Sequence, residues 1–282
     1  MAQIQEQQAK RVFPSGPSPK YDNPPVVETV IGVQFPELAR FHCAHFGLYQ
    51  EHIKARFSKF EDRPRIRPAA EPFPRRLIPP EPPFQIRASG APERVWYIAQ
   101  SGHELLQVQP DRFMFNWRAQ GGSAKYPSYD VNSGRFLEEF AKFRQFCLDQ
   151  GIEEPTPELA EVTYVNHIVP GPGESALDLF GRVFTGLRWE TTDGLLSAPE
   201  SASFNRVWVI PAQQGRLYAQ ANLAYEVLTK RELIQLEITA RVNRAQSDQV
   251  ESALELAHAW VVHGFASMTD PDIQRERWRR LS

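Results

Sequence analysis

The sequence predicts an α+β fold built from two similar halves, and three observations support this prediction. Strand-like alternation and helix-like spacing follow each other twice in the order β-α-β-β-β-α. Residues 94–98 read Arg-Val-Trp-Tyr-Ile and residues 206–210 read Arg-Val-Trp-Val-Ile, in the same slot of each half. One half alone would expose an apolar sheet face. We therefore expect duplicated halves, 24–152 and 158–282, with antiparallel sheets and helices packed on one face.

The first half opens with a tail and a strand. Residues 1–23 carry little apolar surface, which predicts a disordered or extended tail. Period-two alternation over residues 27–35 predicts the first strand, and Pro36 ends it. Helical spacing predicts a helix over about 38–60.

Residues 61–92 contain nine prolines and form a connector rich in proline and arginine. Proline fixes φ and lacks a backbone donor, so we expect neither a helix nor a central strand. An extended, polyproline-like conformation is the preferred interpretation. Two alternatives stay open: a binding strip for a proline-recognising partner, and a nucleic-acid contact shared with the C-terminal arginines.

The remaining elements are predicted from the same two periodicities. In the first half they are strands over 95–100, 105–109 and 112–118, followed by a helix over 134–150. In the second half they are a strand over 161–169, a helix over 176–187, strands over 204–210, 217–224 and 233–242, and a helix from Ser247.

The hairpin around Pro110 and Asp111 gives the most specific local prediction. A two-residue turn pairs Gln109 with Arg112, and every second residue then shares a face. One face is apolar, whereas the other carries His103, Gln107, Gln109, Arg112, Asn116 and Arg118. Such a face is either solvated or a binding site, and uncharged amides with fixed hydrogen-bond directions favour binding. Four residues are therefore predicted to contact a ligand or a partner backbone: Gln107, Gln109, Asn116 and Arg118.

Asn166 and His167 form a second candidate pair on the strand over 161–169. Asn166 alternates with apolar residues, so its amide must find hydrogen bonds after burial. It either ties strands together or meets a ligand, and His167 stands beside it. Both alternatives remain open.

Catalytic and metal-binding signatures are sparse. His42, His45 and His52 surround Cys43, but further ligands at metal-like spacing are missing, so no metal and no cofactor are predicted. Glu28, Glu161 and Glu237 are strand carboxylates that could serve acid–base chemistry.

Composition limits the classes of function. The formal net charge is −2, which disfavours general nucleic-acid binding. An apolar run long enough to span a bilayer is missing, and so is an apolar N-terminal signal. Two cysteines are too few for a disulfide framework. We therefore expect a cytoplasmic protein that does not contact membranes.

Several motifs in order resemble a sporadically distributed bacterial protein family that has a numbered name and no established activity. They are Asn23-Pro24-Pro25-Val26-Val27-Glu28, Gln107-Val108-Gln109-Pro110-Asp111-Arg112-Phe113, Asn116-Trp117-Arg118, Tyr126-Pro127-Ser128-Tyr129 and Val162-Thr163-Tyr164-Val165-Asn166-His167-Ile168. The likeness adds Tyr126 to the candidate site. The patchy distribution that it implies suits defence or toxin–antitoxin cargo.

The sequence thus predicts a non-enzymatic binding protein that recognises a protein partner or a small ligand. One alternative is an enzyme that uses a cleft between the halves, with Glu28, Glu237 or His167 as acid or base. Another is a small-molecule effector-binding module, by analogy with duplicated strand–helix folds. A homo-oligomer is compatible with each of these.

Overall fold

A computed structural model describes residues 12–75, 93–119, 124–187, 195–196, 199–227, 229–243 and 250–282. It combines helices with antiparallel strand pairs, which confirms the predicted α+β class. Among these residues, every helix is too short or too polar to cross a membrane.

The elements of the described residues are bounded as follows. The strands are β1 (Val26–Gln34), β2 (Lys59–Arg63), β3 (Arg94–Ile98), β4 (Glu104–Gln109), β5 (Arg112–Arg118), β6 (Leu159–Ile168), β7 (Ser203–Ile210), β8 (Gly215–Glu226) and β9 (Arg231–Asn243). The helices are α1 (Cys43–Ile53), α2 (Tyr129–Asp149), α3 (Ala176–Val183), α4 (Val250–Met268) and α5 (Pro271–Glu276).

The chain divides into two compact units. Unit 1 comprises Met1–Thr29, Val162–Val242 and Leu254–Ser282, and unit 2 comprises Val30–Glu161 and Asn243–Ala253. The strand order is β6-β9-β8-β7 in unit 1 and β2-β3-β4-β5-β1 in unit 2. In both units the opening strand lies beside the last strand of a three-strand meander. Unit 2 adds β2 at its edge.

The core of unit 2 lies between β5 and helices α1 and α2. Phe113 on β5 is fully buried, and its ring lies 5.1 Å from Phe143 and 5.5 Å from Phe140 of α2. Tyr49 of α1 packs edge-on against Phe143 at 5.3 Å. The apolar face of the hairpin is therefore covered by helices, as predicted.

In unit 1 the described part of the N-terminal tail lies against the C-terminal elements. Tyr21 packs edge-on against Phe265 at 5.5 Å, and its hydroxyl donates to Gln274 at 2.9 Å. Helix α4 approaches β8 closely at Gly264, where a Cβ atom would lie 2.6 Å from Leu217. A larger residue at this position would therefore require the Leu217 side chain to move.

Several predicted boundaries are wrong for identifiable reasons. Helix α1 covers 43–53 rather than 38–60, because residues 59–63 form the exposed edge strand β2. Helix α2 begins at Tyr129, not 134, since the Ser128 hydroxyl accepts a hydrogen bond from the Val131 amide. Helix α3 ends at Val183, not 187. The predicted helix start at Ser247 and the connector residues 76–92 lie outside the described residues.

The two copies of the Arg-Val-Trp motif lie in different surroundings. Trp96 pairs with Gln107 across β3 and β4, whereas Trp208 pairs with Leu217 across β7 and β8. Val95 is 2% exposed, but its counterpart Val207 is half-buried on the outermost strand of unit 1. The halves share a strand order without sharing the packing of this motif.

Candidate functional site

The hairpin of β4 and β5 has the register that the sequence predicts. Gln109 pairs with Arg112, Gln107 with Met114 and Leu105 with Asn116. Residues that follow β1 hold the turn of the hairpin. The Pro110 carbonyl accepts a hydrogen bond from the Leu38 amide at 2.9 Å, and the Asp111 carbonyl accepts one from the Phe35 amide at 3.0 Å. Gln107, Gln109 and Asn116 therefore share one surface.

We call this surface the polar face of unit 2. It is formed by side chains from five strands: Gln34, Arg63, Arg94, Trp96, Gln107, Gln109, Arg112, Asn116 and Arg118. The predicted amides are buried rather than solvated: Gln109 is 1% exposed, Asn116 2% and Gln107 6%. Of the two alternatives that the sequence leaves open for this face, solvation is therefore not found at these three amides.

The proline- and arginine-rich connector covers one part of the polar face. Gln109 accepts a hydrogen bond from the Ile66 amide at 3.1 Å and donates to the Ile66 carbonyl at 2.9 Å. Gln34 does the same at Ala69, with distances of 2.7 and 2.9 Å. Each side-chain amide thus binds both polar groups of one backbone residue.

The spacing of these contacts follows a period of three. Ile66 and Ala69 are half-buried, whereas Pro64, Arg67 and Pro68 are exposed. Polyproline II helices have three residues per turn, so residues three apart lie on the same side. Residues 64–69, here called segment 64–69, therefore present the side that carries Ile66 and Ala69 to the polar face.

Charged contacts fix the same segment. Arg65 donates to Glu37 at 2.7 Å and to the buried Asp111 at 2.8 Å, and these hydrogen bonds raise the pKa of Arg65. The buried Arg112 connects β1 with segment 64–69, because it donates to the Gln34 side chain at 2.7 Å and to the Arg67 carbonyl at 3.1 Å. The polar face thus holds segment 64–69 by backbone and side-chain contacts together.

Gln107 and Asn116 serve the other part of the polar face. The Gln107 oxygen accepts from Arg94 and from the Trp96 indole, both at 2.8 Å, and its amide donates to Asn116 at 2.8 Å. Arg118 donates to the Gly102 carbonyl at 3.0 Å and lies 5.8 Å from the Trp96 ring. These predicted site residues are therefore brought together around Trp96.

The other predicted residues lie elsewhere. Tyr126 packs edge-on against Trp117, 5.4 Å away, which belongs to the apolar face of the hairpin. Asn166 is buried in unit 1 and donates to the Leu236 carbonyl of β9 at 3.2 Å. Of the two alternatives for Asn166, this contact favours the structural one.

His167 lines a cavity of about 480 Å³ in unit 1, together with Asn23, Arg277 and Trp278. Burial lowers the pKa of His167, so its imidazole is neutral at neutral pH. Arg277 pairs with Glu174 at 2.6 Å, and Glu174 also pairs with Arg182 at 2.7 Å. This cavity offers a neutral imidazole and an ion pair to a small ligand.

Residues typical of metal sites do not converge in the described ranges. Groups of three or more His, Cys, Asp or Glu that could hold a metal ion are missing there. Cys43 is exposed and Cys147 is buried, and burial raises the pKa of the Cys147 thiol to about 12.

Sequence reasoning missed Gln34, Arg94 and Trp96 as parts of this surface. Gln34 is the last residue of β1 and lies between the buried Val33 and Phe35. This alternation indicates that its side chain lies on the sheet face opposite to the apolar core. Comparison with models of known protein families and with curated proteins gives no match. The family resemblance of the sequence motifs therefore stays a prediction.

Proposed function

We propose that the chain is a non-enzymatic binding protein that holds an extended segment of a protein partner on the polar face of unit 2. The partner would take the place of segment 64–69. The observation that carries this proposal is the two-way hydrogen bonding of Gln109 to Ile66 and of Gln34 to Ala69. An extended peptide ligand offers the same backbone N–H and C=O groups for hydrogen bonds to these glutamines.

These contacts define what a partner must contain. Because both glutamines accept from a backbone amide, proline is excluded at two positions three residues apart. Proline at the flanking positions, as at Pro64 and Pro68, lowers the entropy lost on binding because it preorganises the chain. Arg65 adds a requirement for a cation that can reach Asp111. We therefore expect partners with an arginine- and proline-rich extended segment.

In the chain itself segment 64–69 competes with any partner. A segment tethered next to its binding surface has an effective concentration in the millimolar range. A free segment of equal intrinsic affinity would bind the native chain weakly. A partner therefore needs additional contacts, or the resident segment must first be displaced.

The test uses Ile66→Pro with Ala69→Pro in the full-length chain. These substitutions remove both backbone donors and keep an extended conformation, while Gln34 and Gln109 stay intact. The probe is a fluorescent synthetic peptide with the sequence of residues 63–72, measured by polarisation. We expect the double variant to bind this peptide at least about tenfold more tightly than the native chain.

Two controls make the result specific. A peptide with proline at the positions of Ile66 and Ala69 should bind neither protein. Adding Gln109→Met to the double variant should weaken binding of the unmodified peptide about 30-fold, because two neutral hydrogen bonds are lost. The proposal is overturned if a double variant with a native circular dichroism spectrum fails to bind the peptide, or binds both peptides equally.

A second candidate function is small-ligand binding in the cavity of unit 1. It is favoured by the neutral His167 beside the Arg277–Glu174 ion pair in a space of about 480 Å³. A screen of small polar metabolites by thermal shift, with His167→Ala as the comparison, tests it. A ligand that stabilises the native chain and the variant equally would contradict this assignment.

We also infer that the two halves descend from one module. The support is the shared strand order, in which β1 lies beside β5 as β6 lies beside β9. The different surroundings of Trp96 and Trp208 fit a later divergence, in which one copy acquired the polar face.

A further inference from the structure

Three guanidinium groups surround the indole ring of Trp96 on the polar face. Arg63 lies over the ring with 4.0 Å between its guanidinium carbon and the ring centroid. Arg94 and Arg118 each lie 5.8 Å from the same centroid. Trp96 is therefore the centre of a cationic cluster at the part of the polar face where Gln107 and Asn116 form the floor.

The close position of Arg63 and Arg94 in the cluster is electrostatically unfavourable. Arg63 and Arg94 are directly opposite each other in the pairing of β2 with β3, and like charges in that position repel. Burial and the neighbouring Arg63 and Arg112 lower the pKa of Arg94. Repulsion of this kind persists in a fold only when other contacts, or a bound anion, offset it.

Within the described part of the chain, the charges of Arg63 and Arg94 are only partly balanced. Among the described residues, Arg94 has no carboxylate within ion-pair distance, and Arg63 has one, the half-exposed Glu61. The floor residues cannot compensate, because the Gln107 and Asn116 amides are neutral and already bonded to each other. Arg63 and Arg94 together therefore carry more positive charge than Glu61, their one described carboxylate partner, balances.

We propose that Arg63 and Arg94, beside Trp96, form a binding site for a phosphate-type dianion. The ligand would be inorganic phosphate or the phosphoryl group of a small molecule. Guanidinium groups bind phosphate oxygens in a planar, two-pronged geometry, so one dianion can accept hydrogen bonds from both arginines. A monocarboxylate would leave the repulsion between the arginines only partly neutralised.

This site is separate from the contacts that hold segment 64–69. Those contacts use Gln34, Gln109, Arg65 and Arg112, whereas the cluster uses Arg63, Arg94 and Trp96. The phosphate site can therefore exist whether or not the polar face receives a partner segment.

The test measures binding of inorganic phosphate to the full-length chain by isothermal titration at constant ionic strength and pH 8. We expect saturable binding that weakens at least about tenfold in Arg94→Gln, because hydrogen bonds to an ionised group are worth that factor. Arg94→Lys should recover part of the affinity. The matched control is Arg144→Gln, since Arg144 is an exposed arginine of unit 2 paired with Glu154.

A second measurement separates ligand binding from a structural role. In phosphate-free buffer at low salt, Arg94→Gln should melt at no lower temperature than the native chain, because a repulsive neighbour of Arg63 is removed. Titration with phosphoserine in place of phosphate should also saturate, which would show that the site accepts the phosphoryl group of a larger molecule. If phosphate alone saturates, the ligand of the site is the free ion.

Three results would overturn the proposal. One is the absence of saturable phosphate binding to the native chain up to about 20 mM, a concentration at which a site of useful affinity would be filled. Another is equal affinity in the native chain and Arg94→Gln. The third is acetate binding as tightly as phosphate.

Discussion

Gln109→Met tests whether the glutamine side chain fastens segment 64–69 to the polar face. Methionine keeps the length and volume of glutamine but cannot exchange hydrogen bonds with the Ile66 backbone. Gln109 is 1% exposed, so solvent does not replace the lost partner while the segment stays in place. The segment should therefore open more often in the variant.

The size of the effect follows from the two bonds to Ile66 of 3.1 and 2.9 Å, because the third hydrogen bond of Gln109, to Asp111, is missing from the variant whether the segment is closed or open. At about 1 kcal/mol for each neutral hydrogen bond, their loss makes opening easier by about 2 kcal/mol, or about 30-fold in the opening equilibrium. Ala69 lies three residues further and stays bonded to Gln34, but the two residues belong to one short segment. We expect its amide to open together with that of Ile66.

The assay is native-state hydrogen exchange of the Ile66 and Ala69 amides, read by NMR or by mass spectrometry of the peptide that contains them. The matched control is Gln145→Met, because Gln145 is an exposed glutamine of unit 2 whose side chain bonds to Asp149, away from the polar face. Both amides should exchange about 30-fold faster in Gln109→Met and at the native rate in the control. Unchanged exchange at Ile66 in Gln109→Met would refute the reasoning.

Three further predictions concern groups outside the polar face. Glu139 is buried and pairs with Arg56 at 2.7 Å and with Lys142 at 3.0 Å, so Glu139→Gln should lower the free energy of unfolding in urea by about 3 kcal/mol. The control substitution Glu138→Gln, at the exposed neighbour, should lower it by less than about 1 kcal/mol. Equal losses in the two variants would contradict this prediction. Burial lowers the pKa of His258 to about 4, below the value near 6.5 in an unfolded chain. As the pH falls, the unfolded state therefore takes up the proton first. The free energy of unfolding should decrease by about 3 kcal/mol between pH 6.5 and pH 4. His258→Gln should flatten that part of the stability curve, and an unchanged slope would reject the assignment. A thiol reagent at pH 8 should modify the exposed Cys43 quickly and the buried Cys147 only on unfolding; two fast equivalents in the native chain would show that Cys147 is accessible.

The hairpin of β4 and β5 was predictable from the sequence because local rules determine it. A two-residue turn and the alternation of apolar and polar side chains, interrupted on the polar face by Leu105 and Met114, favour one register. The register of Gln109 with Arg112 is therefore confirmed. The same rules placed Gln107 and Asn116 on one surface.

What covers that surface was not predictable by the same rules. Segment 64–69 has no strand or helix periodicity, since Pro64 and Pro68 interrupt both. Its position depends on contacts between residues 35 to 43 positions apart in the chain, such as Gln34 with Ala69 and Ile66 with Gln109. Period analysis carries no information on such pairs. The amides were therefore expected to face a ligand, and they bind the chain itself.

Two boundary errors have a local cause that the sequence does contain. The Ser128 cap that starts α2 stands two residues after Tyr126, but the glycines before it suggested a loop. Strand β2 is short and exposed, and its pattern of Lys59, Phe60 and Glu61 continues the helical spacing of α1 by chance. Edge strands without a buried face give a weak signal.

The most direct test of the central claim is a crystal structure of the Ile66→Pro, Ala69→Pro chain with the unmodified 63–72 peptide. We predict density for the peptide on the polar face, with its copy of Ile66 against Gln109 and its copy of Ala69 against Gln34. The claim is contradicted if the peptide lies elsewhere, or if the proline-substituted segment still occupies the face while the peptide is bound.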